Sequence, residues 1–334
     1  MSAISVGDMA QQFRSLRNTG AIKTDLARLS ESLSTGKVAD VTRQLGGQTA
    51  QFSAVQYNLT QLDAYSQVAR ETQQFLSAIQ TVLGQVDSTR SQTADRLLLV
   101  NASSTIAQVD EAASSARSAF DTVVTTLNTQ IADRALLGGA DVTGPPLAAG
   151  NTMLSDILTQ VGAATDAPTI IAAVDAWFDD PAGGFATLGY LGDTGAPPQR
   201  RISESKSVSV DARADNPAIV EILKATALSA LADDIPGLDR DTKITLLQTA
   251  GQRLFVASSD LVAIQAGIGF SEAGVEQALS ETQAQITTLG IVQNDQMLAD
   301  PFETATRLQA VQLQLETHFS VTARMSQLSL LRYI

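Results

Sequence analysis

Few residues in this chain have a type and spacing that could do chemistry. The single histidine, His318, is where acid–base or metal chemistry would be sought. A base or a ligand needs converging partners, and only Glu316 is near. Beside Phe319 in an apolar-striped segment, His318 reads as a residue at a helix interface. Gly36-Lys37 has the last letters of a phosphate loop, but Glu31 stands where the first Gly belongs and Val38 where Ser or Thr belongs. Gly267-Ile268-Gly269 lacks the third Gly of a dinucleotide fingerprint, since Glu272 occupies that place and no strand precedes it. The acid pairs Asp179-Asp180 and Asp233-Asp234 fall at element ends, where capping and solvation explain them. Trp177-Phe178 reads as a core anchor rather than a ligand platform. Without Cys, disulfides and thiolate metal sites are excluded. The reading is of a protein that is not an enzyme, with no catalytic, cofactor-binding or metal-binding residues.

Composition points elsewhere. The 334 residues are 44% hydrophobic but only 4% aromatic, which favours helices packed closely through small side chains. The net charge of −13 argues against nucleic acid, which selects a basic face, and against a Lys- and Arg-rich helix on a membrane surface. No run of about 18 apolar residues is present, so no membrane insertion is expected. The first residues have neither a basic start nor an apolar core, so no Sec-type signal is expected.

The elements with the clearest pattern are at the two ends. Asp300 caps and Pro301 starts a helix that continues towards Ile334 without another Pro or any Gly. Leu308, Val311, Leu315, Phe319, Thr322, Met325 and Leu328 are spaced three or four apart, one face of that helix. Residues 8–33 carry a similar stripe in Met9, Phe13, Leu16, Thr19, Ile22, Leu26, Leu29 and Leu33, ended by Gly36 as a left-handed cap. Neither helix has a local partner, and a long single-striped helix is not stable alone. The simplest solution pairs the two ends, and full burial then needs neighbouring copies. The termini are therefore expected to be loose in the monomer and to order on docking.

Between the ends, a second long helix is expected over 48–100. Its seam runs through Phe52, Val55, Leu59, Leu62, Ser66, Ala69, Gln73, Leu76, Gln80 and Leu83. Another is expected from Ile106 to Leu127. Gly139 to Asp215 holds most of the Pro and the only Trp. Short helices are expected at 157–161 and 170–178, and strands at 185–191 and 201–210. Helix resumes at Asn216-Pro217, breaks at Pro236-Gly237, and runs on from Asp239 towards Asp295. The fold class is mainly α: a long helical bundle and coiled coil built from both termini, with a small inserted α+β domain. The division is 1–45 with 296–334 (terminal coiled coil), 46–139 with 216–295 (bundle), and 140–215 (insert).

Leu26-Ala27-Arg28-Leu29-Ser30-Glu31-Ser32-Leu33-Ser34-Thr35-Gly36-Lys37 is similar to the "L-x-x-L-S-x-x-L-S-T-G-K" start of bacterial flagellin-type axial proteins. Leu308-Gln309-Ala310, Ser326 to Leu331, and Asn128 to Asp141 also resemble that family, although Leu136-Leu137 replace its usual Leu-Phe. Val38-Ala39-Asp40-Val41 stands where the family usually has "D-D-P-A-G". Leu330-Leu331-Arg332 resembles a flagellin end. The continuation Tyr333-Ile334, the short insert and Asp215-Asn216-Pro217 resemble the hook–filament junction branch, hook-associated protein 3. The resemblance implies an exported structural subunit of the extracellular flagellum. Its partners would be copies of itself, hook-associated proteins and flagellin, with an export chaperone possible. The residues expected to carry the docking are Leu26, Leu29, Leu33, Leu308, Leu315, Phe319, Leu328 and Leu331. The alternatives are a flagellin filament subunit and, from another class, a soluble coiled-coil scaffold or signalling protein.

Overall fold

The computed structural model describes residues 3–47, 49–140, 143–210 and 212–330, without the side chains of 3–8, 11 and 326–330. It is mainly α, a bundle of long helices with two very small sheets. The chain forms two compact units: residues 1–63 with 284–334, and residues 64–283. Two long helices, α3 (Thr49–Leu99) and α9 (Ser258–Met297), contribute residues to both.

In the terminal unit, α1 (Ala3–Thr35) packs against α10 (Pro301–Leu330). Each starts or stops where its residues require. Gly36, at φ 67°, turns the chain out of α1 in the left-handed region that Gly enters without steric cost. The Asp300 carboxylate accepts from the Phe302 and Glu303 amides at 2.8 and 3.1 Å, a side-chain cap on α10. The two breaks are tied together. The Val38 amide donates to the Met297 carbonyl at 2.9 Å, and the Ala299 amide to the Gly36 carbonyl at 3.0 Å. Asp40 then caps the one-turn helix α2 (Val41–Gln44). Residues 36–38 and 297–299 thus form a short backbone clasp beside the ends of α1 and α10.

The central unit is built around α7 (Pro217–Asp234), which is buried from Ala218 to Ala232 except at half-buried Val220 and Glu221. Helices α4 (Ile106–Leu127), α6 (Ala167–Asp179) and α8 (Arg240–Val256) pack on it. A helix enclosed in this way must satisfy its own polar groups. Thr226 and Ser229 do so by donating to the carbonyls of Ile222 and Thr226 at 2.7 and 2.8 Å. Lys224 does so by reaching Glu221 at 2.7 Å and Asp179 at 3.1 Å. Arg253 of α8 holds Asp175 of α6 at 2.8 Å beside it.

Burial alone would depress the Lys224 ammonium, but hydrogen bonds and attraction from Glu221 and Asp179 overcome it and hold the pKa above the ordinary value of 10.5. A group raised in the folded state stabilises fully below its unfolded pKa. That contribution is lost as the pH rises through the folded pKa. The expected outcome is a melting temperature of the central unit that declines above about pH 10.5, with a shallower decline in Lys224→Met. Parallel pH–melting curves for the two proteins would refute it.

Several expectations need correction. The expected helix over 239–295 is two: α8 ends at Val256 and α9 begins at Ser258. Ser258 and Ser259 donate their hydroxyls to the carbonyls of Phe255 and Val256, competing with the helix's own amides at that point. The seam of α3 also drifts. Thr72 and Ile79 are buried in place of Gln73 and Gln80, because a straight helix of 3.6 residues per turn slips about 20° per heptad against a strict seven-residue count. The stretch 185–191 is not a strand; Phe185–Gly189 forms a π-helical turn. There Phe185 lies against Trp177, Phe178 and Tyr190, with ring centroids 5.4–6.3 Å apart. Gly184 allows this approach, since a Cβ there would overlap the Trp177 indole. The other short elements are α5 (Gly150–Val161), β3 (Gln199–Arg201) and β4 (Ser207–Ser209), the strands pairing antiparallel with Arg200 opposite Val208. A further two-residue hairpin joins β1 (Gln130–Ile131) to β2 (Arg134–Ala135) through Ala132 and Asp133, both at positive φ. Finally, the Arg240–Met297 stretch holds an 18-residue window of mean hydropathy 1.4. By length and composition alone, one helix is therefore apolar enough to cross a membrane, although no unbroken apolar run is present.

Candidate functional site

The terminal pair is antiparallel: Gly36 meets Ala299 at one end, and Thr19 meets His318 further along. On α10, Thr304, Leu308, Val311, Leu315 and His318 are buried or half-buried, alternating steps of four and three. On α1, Ile22, Leu26, Leu29 and Ser32 do the same. These two rows are the seam. Four of the residues expected to dock, Leu26, Leu29, Leu308 and Leu315, are half-buried on the seam rows. One face of each helix is thus partly covered by the other within a single chain, with most of its large side chains half-buried.

Leu33 and Phe319 stay exposed, at 42% and 49%. For Phe319 the reason is helical phase. Counting from Leu308 in alternating steps of three and four reaches His318, and Phe319 lies a further ~100° round the helix. Size favoured Phe319 in the sequence; position favours His318. Thr19 Oγ1 lies 3.5 Å from His318 Nδ1, with the roles of donor and acceptor set by the tautomer. Lys23 lies 6.0 Å from the centroid of the Phe319 ring. The side chain of Leu328, and the whole of Leu331, fall outside the described residues. Ser32 and Thr304, buried at the seam near the clasp, were missed in the sequence because small polar residues carry little hydrophobic signal. Their three-and-four spacing was the only trace.

Around the seam the surface is divided. One groove, about 780 Å³, runs between the helices past Asn18, Ile22, Val311, Gln314, His318 and Val321. A second, about 650 Å³, lies by the clasp and is charged: Asp25, Arg28, Asp40, Arg43, Asp300 and Arg307 line it. Arg28 pairs with Asp25 and stands 3.8 Å from Asp40, and Arg43 stands 3.8 Å from Asp25. Exposed pairs of this kind add little stability singly; here they tie α2 to α1. Large apolar side chains also face solvent: Met9, Phe13 and Leu16 on α1, and Phe302, Leu313, Val321 and Met325 on α10. Phe13 is 73% exposed. Leu313 lies on the face of α10 opposite the seam, whereas Met325, two turns beyond His318, continues the seam row and is exposed there. Among the described residues, no group of three His, Asp or Glu side chains could hold a metal ion. The exposed side chains offer apolar surface to further helices.

No family model and no curated protein matches the chain. Among solved structures, it is similar to a protein of Vibrio parahaemolyticus assigned as a flagellar hook-associated protein. The TM-score is 0.53 at 11% identity, over 74% of this chain and 96% of that one. At that identity the likeness is one of fold: a mainly α helical bundle that both chains share.

Proposed function

We propose that this chain is a non-enzymatic structural subunit of a bacterial flagellum, exported and assembled through its terminal helices. Within that class, we read it as the hook–filament junction adaptor. The observation that carries the class is the apolar surface that the terminal pair leaves uncovered. Even after α1 and α10 cover one another, Met9, Phe13, Leu16, Leu313, Val321 and Met325 remain in solvent. Patches of this kind mark interaction sites, and apolar surface along two long helices fits further helices supplied by neighbouring subunits. The resemblance of residues 26–37 to the axial-protein start, and the fold shared with the Vibrio protein, support the same class. The choice of junction adaptor rests on Tyr333-Ile334 and on the Asp215-Asn216-Pro217 helix start. Partners in this reading are copies of the chain, hook-associated proteins, flagellin and an export chaperone, with neither nucleic acid nor membrane insertion.

A tagged copy tests it directly. A single point of label at the outer end of the hook supports the adaptor. Label along the whole filament would instead support the flagellin reading, which the Leu330-Leu331-Arg332 motif favours. Removing the last 20 or so residues separates the class from a soluble scaffold. An axial subunit loses assembly altogether, and a protein that retains full function without them is not one.

A further inference from the structure

A different uncovered apolar row lies in the central unit, along the end of α8 and the start of α9. Helical hydrogen bonds continue through the break between them: Ala257 donates to Arg253 at 2.9 Å, and Leu261 to Ala257 at 3.2 Å. Residues 255–270 therefore keep one phase. Phe255, Ser259, Val262, Ala266 and Phe270 follow steps of four, three, four and four on the side away from buried Leu261, Ile268 and Val275. Phe255, Val262 and Phe270 are 66%, 56% and 83% exposed. This is the stretch in which the chain is most apolar over 18 residues, yet only 22% of that window is buried.

Two features name the occupant. First, the row carries no charged side chain, in a chain of net charge −13. Two copies that repel over most of their surfaces can meet there without opposing like charges. Second, the row is palindromic about the point between Val262 and Ala263: Phe255 mirrors Phe270, and Ser259 mirrors Ala266. Laid antiparallel, Phe255 of one copy faces Phe270 of the other, and Ser259 faces Ala266. Crossing helices are closest at the crossing point, where small side chains permit approach, and diverge towards the ends, where larger ones fill the gap. Small Ser259 and Ala266 stand between the phenylalanines and the central Val262, so the large side chains lie at the ends of the row.

We propose that this row is a two-fold contact between copies of the chain. Four phenylalanine rings at about 150–250 Å² each give roughly 600–1,000 Å² in total, below the ~1,200 Å² at which stable complexes begin. The pair is weak and is lost on dilution. A two-fold contact closes on itself and cannot propagate, so it belongs to the unassembled chain and is independent of docking through the terminal helices.

The absence of Cys makes the test clean. The full-length chain is followed by sedimentation over a concentration series, beside single-cysteine variants under mild oxidation. The expected result is a monomer–dimer equilibrium with a midpoint on the order of 0.1–1 mM. Phe270→Asp weakens it at least about tenfold, and Phe319→Asp leaves it unchanged. Val262→Cys, at the two-fold axis, forms a disulfide dimer much faster than Ser118→Cys, which is exposed on α4. Four outcomes overturn the proposal: a monomer throughout the series; equal cross-linking at both positions; a dimer lost in Phe319→Asp but kept in Phe270→Asp; or a chain that stays monomeric but binds anionic lipid vesicles through Phe270.

Discussion

Replacing Leu315 by Asp abolishes incorporation into the polymer while leaving the central unit folded. Leu315 is half-buried in the seam of the terminal pair. A carboxylate there loses roughly half of the ~1.5–3 kcal/mol that full burial of a Leu is worth and is itself partly desolvated, which costs a few kcal/mol more. An isolated two-helix pair has little stability in reserve, so a loss of this size separates α1 from α10 and scatters the apolar surface that neighbours would cover. The core of residues 64–283 is a separate compact unit, and its melting transition should be unchanged. Pelleting of assembled protein and a thermal scan on the same preparation read the two effects separately. Normal incorporation of the variant would refute the assignment of the terminal pair as the docking element. Amide exchange extends the test: protection along α1 and α10 rises on assembly as that surface is covered.

Trp177→Ala is expected to cost the central unit about 3–5 kcal/mol, the usual range for deleting a large buried aromatic. The indole is fully buried and is part of a ring cluster, with Phe178 edge-on at 4.7 Å. Its Nε1 donates to Asp156 at 2.7 Å. Truncation removes the ring, opens a cavity under the π-helical turn and leaves the carboxylate without that donor, so transfer, packing and hydrogen-bond losses add. Trp177→Phe keeps most of the volume and separates the terms, with a loss nearer the hydrogen bond's share of about 1–3 kcal/mol. Denaturant titration followed by circular dichroism measures both without relying on the removed fluorophore. A loss below about 1 kcal/mol for Trp177→Ala would mean that the cluster collapses around the gap and does not anchor the fold.

The terminal helices were the most legible part of the chain, because their signals are local. Pro301, Asp300 and Gly36 mark helix ends through backbone chemistry that does not depend on the rest of the molecule. The seam of α10 was read one residue out at its far end, at Phe319 instead of His318. Hydrophobic size and helical phase disagree there, and a partner helix decides by phase. The clasp between residues 36–38 and 297–299 was not legible, because backbone hydrogen bonds between distant segments leave no mark in side-chain pattern. The same is true of α7. Burial of Lys224, Thr226 and Ser229 is set by the surrounding helices and, for Lys224, by the carboxylates of Glu221 and Asp179.

What the sequence determined by itself is the helical class, the caps and breaks marked by Gly, Pro and Asp, and the two apolar stripes of the terminal helices. These follow from periodicity and from the backbone limits of Gly and Pro, which act within a few residues. Tertiary structure alone decided which stripe residues are spent on the seam, which remain for a partner, and that Phe185–Gly189 coils under Trp177 instead of extending. Burial belongs to surfaces brought together from distant parts of the chain, and no short-range pattern can apportion it.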